Sequence, residues 1–307
     1  MNLELNQRIY DAQCIGNVEP IEYMIPYPSM RSLIEGQNIK YGNQLIIKDN
    51  HITNSNYYQL IQQTANWLTH KGLKPKDRLI LPKLVKHQSE ILLFSLWQIG
   101  ATAVLTKKTL TDKNISDFKI KEFNFKNNDI LSEVQSFPKI HYPKHKPLLN
   151  EEALITFEKD SGIKLSHYNL LINTNSALKL INTKGRIRYS CKVDFYTSGW
   201  VILKAILPIY SGYIYDDHDP ELTIGKTNAD FNVRYDLNNL DAFNKNDLAM
   251  CPENSGLISV GRATVHLTQF SLTNKKLYLK GHSVMMGYLD QNLNESSFID
   301  QSLAISI

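Results

Sequence analysis

Between residues 153 and 170 the chain gathers side chains with chemistry to offer: Thr156, Glu158, Lys159, Asp160, Ser161, Gly162, Lys164 and Ser166. Hydroxyls, lysines and a glycine between an apolar run and a helix are the materials of an anion site. Free N–H groups and the helix dipole favour negative charge there. Glu158 and Asp160 pull the other way, because two carboxylates repel a phosphate unless lysine or metal compensates.

The elements around this stretch must hold it. Residues 153–157, Ala-Leu-Ile-Thr-Phe, form a short apolar run with a β-branched pair, suited to a buried strand. The reading is strand, tight loop, helix. Ser166 can cap the helix, which continues from Tyr168 to Ala177. Upstream, 1–28 lacks periodicity and reads as an irregular arm broken by Pro20, Pro26 and Pro28. A short helix is expected from Arg31, a strand over 44–48, and an amphipathic helix over 56–70 that Gly72 stops. Residues 90–99 read as a helix closed by Gly100, with a buried parallel strand over 101–105. Ser136 to Pro147 holds three prolines, three lysines and two histidines and reads as a solvated crossing loop whose lysines could steer an anion. In the polar stretch 222–248 only a short strand near 231–233 is legible, while alternation over 264–270 and 276–280 predicts antiparallel strands.

Composition narrows the function classes. The 307 residues are 42% hydrophobic and 21% charged, ordinary globular values for one large domain or a few lobes. A net charge of +4, with lysines interleaved among acids, does not call for nucleic acid. Cys14, Cys191 and Cys251 form no CxxC pair, which fits a reduced compartment. The N-terminus lacks a signal-peptide layout, and the apolar stretch 92–105 is too short to span a bilayer, so a cytoplasmic location without a membrane span is expected.

Several stretches resemble motifs of the AMP-forming acyl-adenylate ligases, the superfamily of acyl-CoA synthetases, adenylation domains and luciferases. Ala153-Leu154-Ile155-Thr156-Phe157 and Leu165-Ser166-His167-Tyr168-Asn169-Leu170 match the two flanks of that family's Ala-Leu-Ile-x-Phe/Tyr…Thr-Ser-Gly-Ser/Thr-Thr-Gly-x-Pro-Lys-Gly…Leu-Ser/Thr-His-x-Asn-Leu core. The loop between them is about five residues shorter than the family pattern. Ser161, Gly162 and Lys164 stand either as a remnant of the Thr-Gly-x-Pro-Lys half, or as Ser161-Gly162-Ile163 in place of Lys-Gly-Val with the lysine gone. Gly72-Leu73-Lys74-Pro75-Lys76-Asp77-Arg78-Leu79 is similar to Gly-Val-Lys-Pro-Gly-Asp-Arg-Val, and 277–289 to Leu-x-Val-x-Gly-Pro-x-Val-Met-x-Gly-Tyr.

The resemblance implies an α/β protein with flavodoxin-like parallel-sheet lobes, the second reduced, and a small β-barrel subdomain near the C-terminus. The expected division is an arm over 1–29, a first lobe with the degenerate nucleotide loop over 30–180, a reduced second lobe over 181–254 and the barrel subdomain over 255–307. The family's C-terminal lysine domain is expected to be absent. The resemblance also implies cofactor contacts from Ser161, Gly162, Lys164 and Glu253, with Glu253 at the position the family uses near magnesium. It implies an acyl pocket walled by Tyr196, Gly199 and Trp200. ATP and Mg2+, a fatty or aromatic carboxylic acid, and CoA or a carrier thiol are the ligands that follow if the chain is active. The shortened acidic loop instead points to impaired adenylation, or to an inactive scaffold beside a protein partner that supplies missing functions.

Overall fold

The computed structural model describes residues 3–123, 125, 129–158, 161–273 and 275–307. Three sheets organise them. The first has six strands in the spatial order Gly287–Tyr288, Ile163–Ser166, Glu152–Thr156, Thr102–Leu105, Arg78–Ile80 and Ile120–Lys121. The last four run parallel, and the first two add antiparallel to one edge. Ala103, Val104, Leu154 and Ile155 are fully buried, as expected where helices cover both faces of a parallel sheet. The covering helix Gln88–Ile99 is buried at all twelve positions, which explains why its apolar residues are not confined to one stripe.

Gly100 ends that helix with φ +81°, a conformation a side chain resists. A Cβ there would also lie 2.7 Å from the His145 ring. Gly100→Ala is expected to cost about 1–2 kcal/mol, read by urea unfolding.

The second sheet has nine strands: Ala263–Thr264, Gly256–Val260, Asp247–Cys251, Phe231–Arg234, Leu222–Gly225, Arg188–Lys192, Ile214–Tyr215, Leu45–Ile47 and Ile52–Thr53. Its centre is parallel and its margins are antiparallel. The 222–248 stretch thus contributes Leu222–Gly225 and the start of Asp247–Cys251 as well as the strand near 231–233. Those two strands are short and begin among polar residues, so their period is faint in sequence. A separate four-stranded antiparallel sheet, Thr268–Thr273, Lys276–Gly281, Ser302–Ser306 and Phe298–Ile299, forms the small C-terminal subdomain.

Two expectations need correction. The supposed arm contains a helix, Leu3–Gln13, whose Leu5 and Ala12 are buried against the C-terminal region. Arg8 donates to the carbonyls of Glu295 and Phe298, and Gln13 to those of Val284 and Met285. Its stability comes from these distant partners, which local periodicity could not reveal. The central stretch is also not strand, loop, helix. Ile163–Ser166 first returns as an antiparallel strand beside Glu152–Thr156, and only then does helix His167–Ile181 begin. Ser166 caps that helix, in a capping box with Asn169.

Candidate active site

The hairpin turn after Glu152–Thr156 carries Glu158 toward the start of the helical stretch 198–211. Ser198 and Gly199 are its opening helical residues, just after the turn in which Thr197 Oγ1 donates to the Asp194 carbonyl and accepts the Trp200 N–H. The first turn of a helix has backbone donors without internal partners. Here the Ser198 N–H donates to Glu158 Oε1 at 2.6 Å, and Thr156 Oγ1 donates to the same oxygen at 3.2 Å. A side-chain carboxylate therefore takes the anion position. Residues Trp200–Ile206 are wound as a π-helix, a rare form that is frequent at functional sites.

Glu253 faces Glu158 from the short turn Pro252–Asn254, after the strand Asp247–Cys251. It is fully buried. Tyr288 Oη donates to its Oε1 at 3.3 Å, Cys251 Sγ to its Oε2 at 3.5 Å, and its carbonyl accepts the Met285 N–H at 2.9 Å. Burial, together with the charge of Glu253, pushes Glu158 up to about 7, against the opposing pull of its hydrogen bonds from Ser198 and Thr156. Burial, then Glu253, pushes the Tyr288 phenol well up.

A cavity of about 360 Å³ opens between them, lined by Glu158, Tyr235, Asp236, Met250, Glu253 and the C-terminal strand. Among the described lining residues three carry carboxylates and none is a lysine or arginine. The Asp236 carboxylate accepts the Asn238 N–H and the Asn239 side-chain amide. Burial pushes Tyr235 up to about 12, so its phenol stays protonated and able to donate.

The residues singled out in the sequence fall in different places. Glu253 lies in the cavity wall. A Cβ on Gly199 would sit 2.7 Å from Met250 Cε and 3.6 Å from Tyr235 Oη, so its smallness shapes the same wall. Trp200 is buried edge-to-face on Phe195, and Tyr196 packs on the same ring. Neither is among the residues lining the cavity. Gly162 has φ +58° and lies under Leu289, whose N–H donates to its carbonyl. Ser161 is in the turn just before it. Lys164 sits in the return strand and senses the charges of Glu152 and Arg78, with burial lowering its pKa. Lys159 and Asp160 lie outside the described residues. Sequence reading missed Ser198, Tyr235 and Asp236 as part of one site, because neither spacing nor residue type marks them.

No protein-family profile and no curated protein matches the chain. Solved structures do. The unliganded O-succinylbenzoate coenzyme A synthetase from Bacillus subtilis superposes with a TM-score of 0.70 at 11% identity, covering 89% of this chain and 78% of that one. The N-terminal domain of FACL13 from Mycobacterium tuberculosis gives 0.71 at 12% identity, with 90% and 95% covered. The anthranilate CoA ligase AuaEII in complex with anthranoyl-AMP gives 0.71 at 12% identity, with 92% and 75% covered. Among the described residues no helix is long and apolar enough to cross a membrane. With its two large sheets and antiparallel subdomain, the chain has the fold of the AMP-forming acyl-CoA and adenylate-forming ligases.

Proposed function

We propose that the chain is an acyl-CoA-synthetase-like protein in which ATP-driven adenylation of a carboxylic acid is impaired, and that the fold acts as a binding or assembly partner for other proteins of a biosynthetic pathway. The observation that carries this reading is the Glu158–Ser198 hydrogen bond. A phosphate-binding turn needs free backbone donors at the head of the helix. In this chain the donor is engaged by a carboxylate of the turn itself, with a second carboxylate, Glu253, across the cavity.

Glu158, Asp236 and Glu253 bring carboxylates to the cavity and none of its described lining residues is a lysine or arginine, so a triphosphate fits these residues poorly. Lys164, the lysine expected to meet the phosphates, lies in the return strand between Ile155 and Gly287 instead. A phosphate about 6 Å from one ionised carboxylate is repelled by about 3 kcal/mol at an effective dielectric of about 20, more than one displaced hydrogen bond contributes. No catalytic step through the nucleotide follows from this arrangement.

A working ligase is the second reading, favoured by the burial of Glu253 in the turn after a sheet strand. Calorimetry separates the two. Titration of ATP into the chain, with and without magnesium and with fatty or aromatic acids present, is expected to give no binding heat at millimolar ATP. Magnesium-dependent binding that Glu253→Gln abolishes would establish the ligase reading.

A further inference from the structure

A different face of the molecule combines exposed apolar side chains with lysines that lack ion-pair partners among the described residues. It lies at the amino ends of the parallel strands in the six-stranded sheet, the edge opposite Glu158. The segment 138–147, neither helix nor strand, runs there along helix Asn54–His70. Asn66 Nδ2 donates to the carbonyls of Pro138 and Ile140 at 2.8 and 2.9 Å, and Gln62 Oε1 accepts the His141 N–H at 3.1 Å. His141 Nδ1 meets Asn66 Oδ1 at 2.9 Å. The inner side of the segment is thus satisfied by amide side chains of the helix, and the segment is fixed in place. Its outer side is not covered. Ile140, Tyr142 and Leu148 are 61%, 82% and 63% exposed, well beyond what a crossing loop needs.

Charge supplies the complement. No aspartate or glutamate occurs from Asn50 to Lys76 or from Val134 to Asn150, the two stretches that meet here. They place Lys71, Lys74, Lys139, Lys144 and Lys146 on the surface, and none of these has an ion-pair partner among the described residues. Two of the bordering acids are occupied internally. Asp77 pairs with Lys121 at 2.6 Å, and Glu151 with His145 at 2.8 Å. Within the patch, Leu73, Pro75, Ile99 and Tyr142 wall a pocket of about 190 Å³ with Lys74 and Lys144 beside it. That volume admits one large apolar side chain. A bilayer would take protruding apolar groups, whereas a concave, lysine-flanked pocket takes an anchor residue.

We infer that this face docks an acidic peptide segment of a partner protein, with one aromatic or large aliphatic side chain of that segment seated between Leu73, Ile99 and Tyr142. The inference does not depend on the reading of the cleft, and ATP calorimetry of the variants below keeps the two separate.

The test uses the full chain and a fluorescein-labelled peptide, Asp-Glu-Asp-Phe-Asp-Glu-Asp, followed by fluorescence anisotropy. Saturable binding with a Kd of about 1–100 µM is expected, weakening as salt rises from about 50 to 500 mM. The Lys74→Glu/Lys144→Glu double variant is expected to bind about tenfold more weakly, and so is a peptide with serine in place of phenylalanine. Both lysines are exposed and unpaired, so the variant keeps its melting temperature. No binding up to about 500 µM peptide, affinity indifferent to the double variant or to the serine exchange, or binding to phosphatidylserine vesicles without binding to the peptide would each overturn the inference.

Discussion

Glu158→Gln is expected to stabilise the protein at pH 8 and to leave it nearly unchanged at pH 5. Glu158 is buried beside Glu253, and its folded pKa is raised to about 7 from an ordinary value near 4.5. A group whose pKa rises on folding holds its proton better in the folded state. Its contribution is fully present below about pH 4.5 and is lost as pH climbs through about 7. Above that, the folded chain carries an ionised carboxylate in a place that penalises it. A shift of this size corresponds to a penalty on the order of 3 kcal/mol at pH 8. Glutamine removes the charge and keeps an oxygen to accept the Ser198 N–H, so the hydrogen bond survives. Thermal melts between pH 5 and 8 should show the variant pulling ahead by a few degrees as pH rises. Parallel melting curves across that range would mean that burial does not raise the Glu158 carboxyl as described.

Asn173→Ala is expected to be the most destabilising single change near the cleft. Asn173 is fully buried in helix His167–Ile181. Its Nδ2 donates to the carbonyls of Asn254 and Leu257 at 3.0 and 2.8 Å, and its Oδ1 accepts the Leu257 N–H at 3.1 Å. Alanine leaves the Leu257 N–H and the Asn254 carbonyl without these partners. Each buried unpaired group costs about 1–3 kcal/mol, so a loss of about 3–5 kcal/mol in urea unfolding follows. The same bonds hold the turn that presents Glu253. A loss below about 1 kcal/mol would show that the turn is held by its other contacts.

Parts of this architecture were legible in the sequence for physical reasons. The run Ala153 to Phe157 reads as a buried strand because both faces of the parallel sheet are covered. Gly100 reads as a helix stop because its φ of +81° suits glycine. Ser166 reads as a cap, and Asn169 completes the box while its Nδ2 ties the helix to the carbonyls of His282 and Val284. Ser166 thus caps the helix, while Asn169 of the same Leu-Ser-His-x-Asn-Leu stretch ties it to the segment 282–284. What stayed hidden depended on distance along the chain. Ile163–Ser166 is a four-residue strand visible only through its neighbour. Leu3–Gln13 is a polar helix until its buried side is met. Glu158 could be read as a charge in the wrong place for a phosphate, but its acceptor role needed Ser198, forty residues away. Tyr196 and Trp200 look like pocket residues in sequence because aromatic types do not distinguish a cavity wall from a packed cluster.

The most direct test of impaired adenylation is ATP–pyrophosphate exchange by the purified chain over a panel of fatty and aromatic acids. With Glu158 holding the Ser198 N–H and Glu253 facing it, exchange no greater than in protein-free controls is expected at every acid. Acid-dependent exchange that Glu253→Gln abolishes would contradict the account.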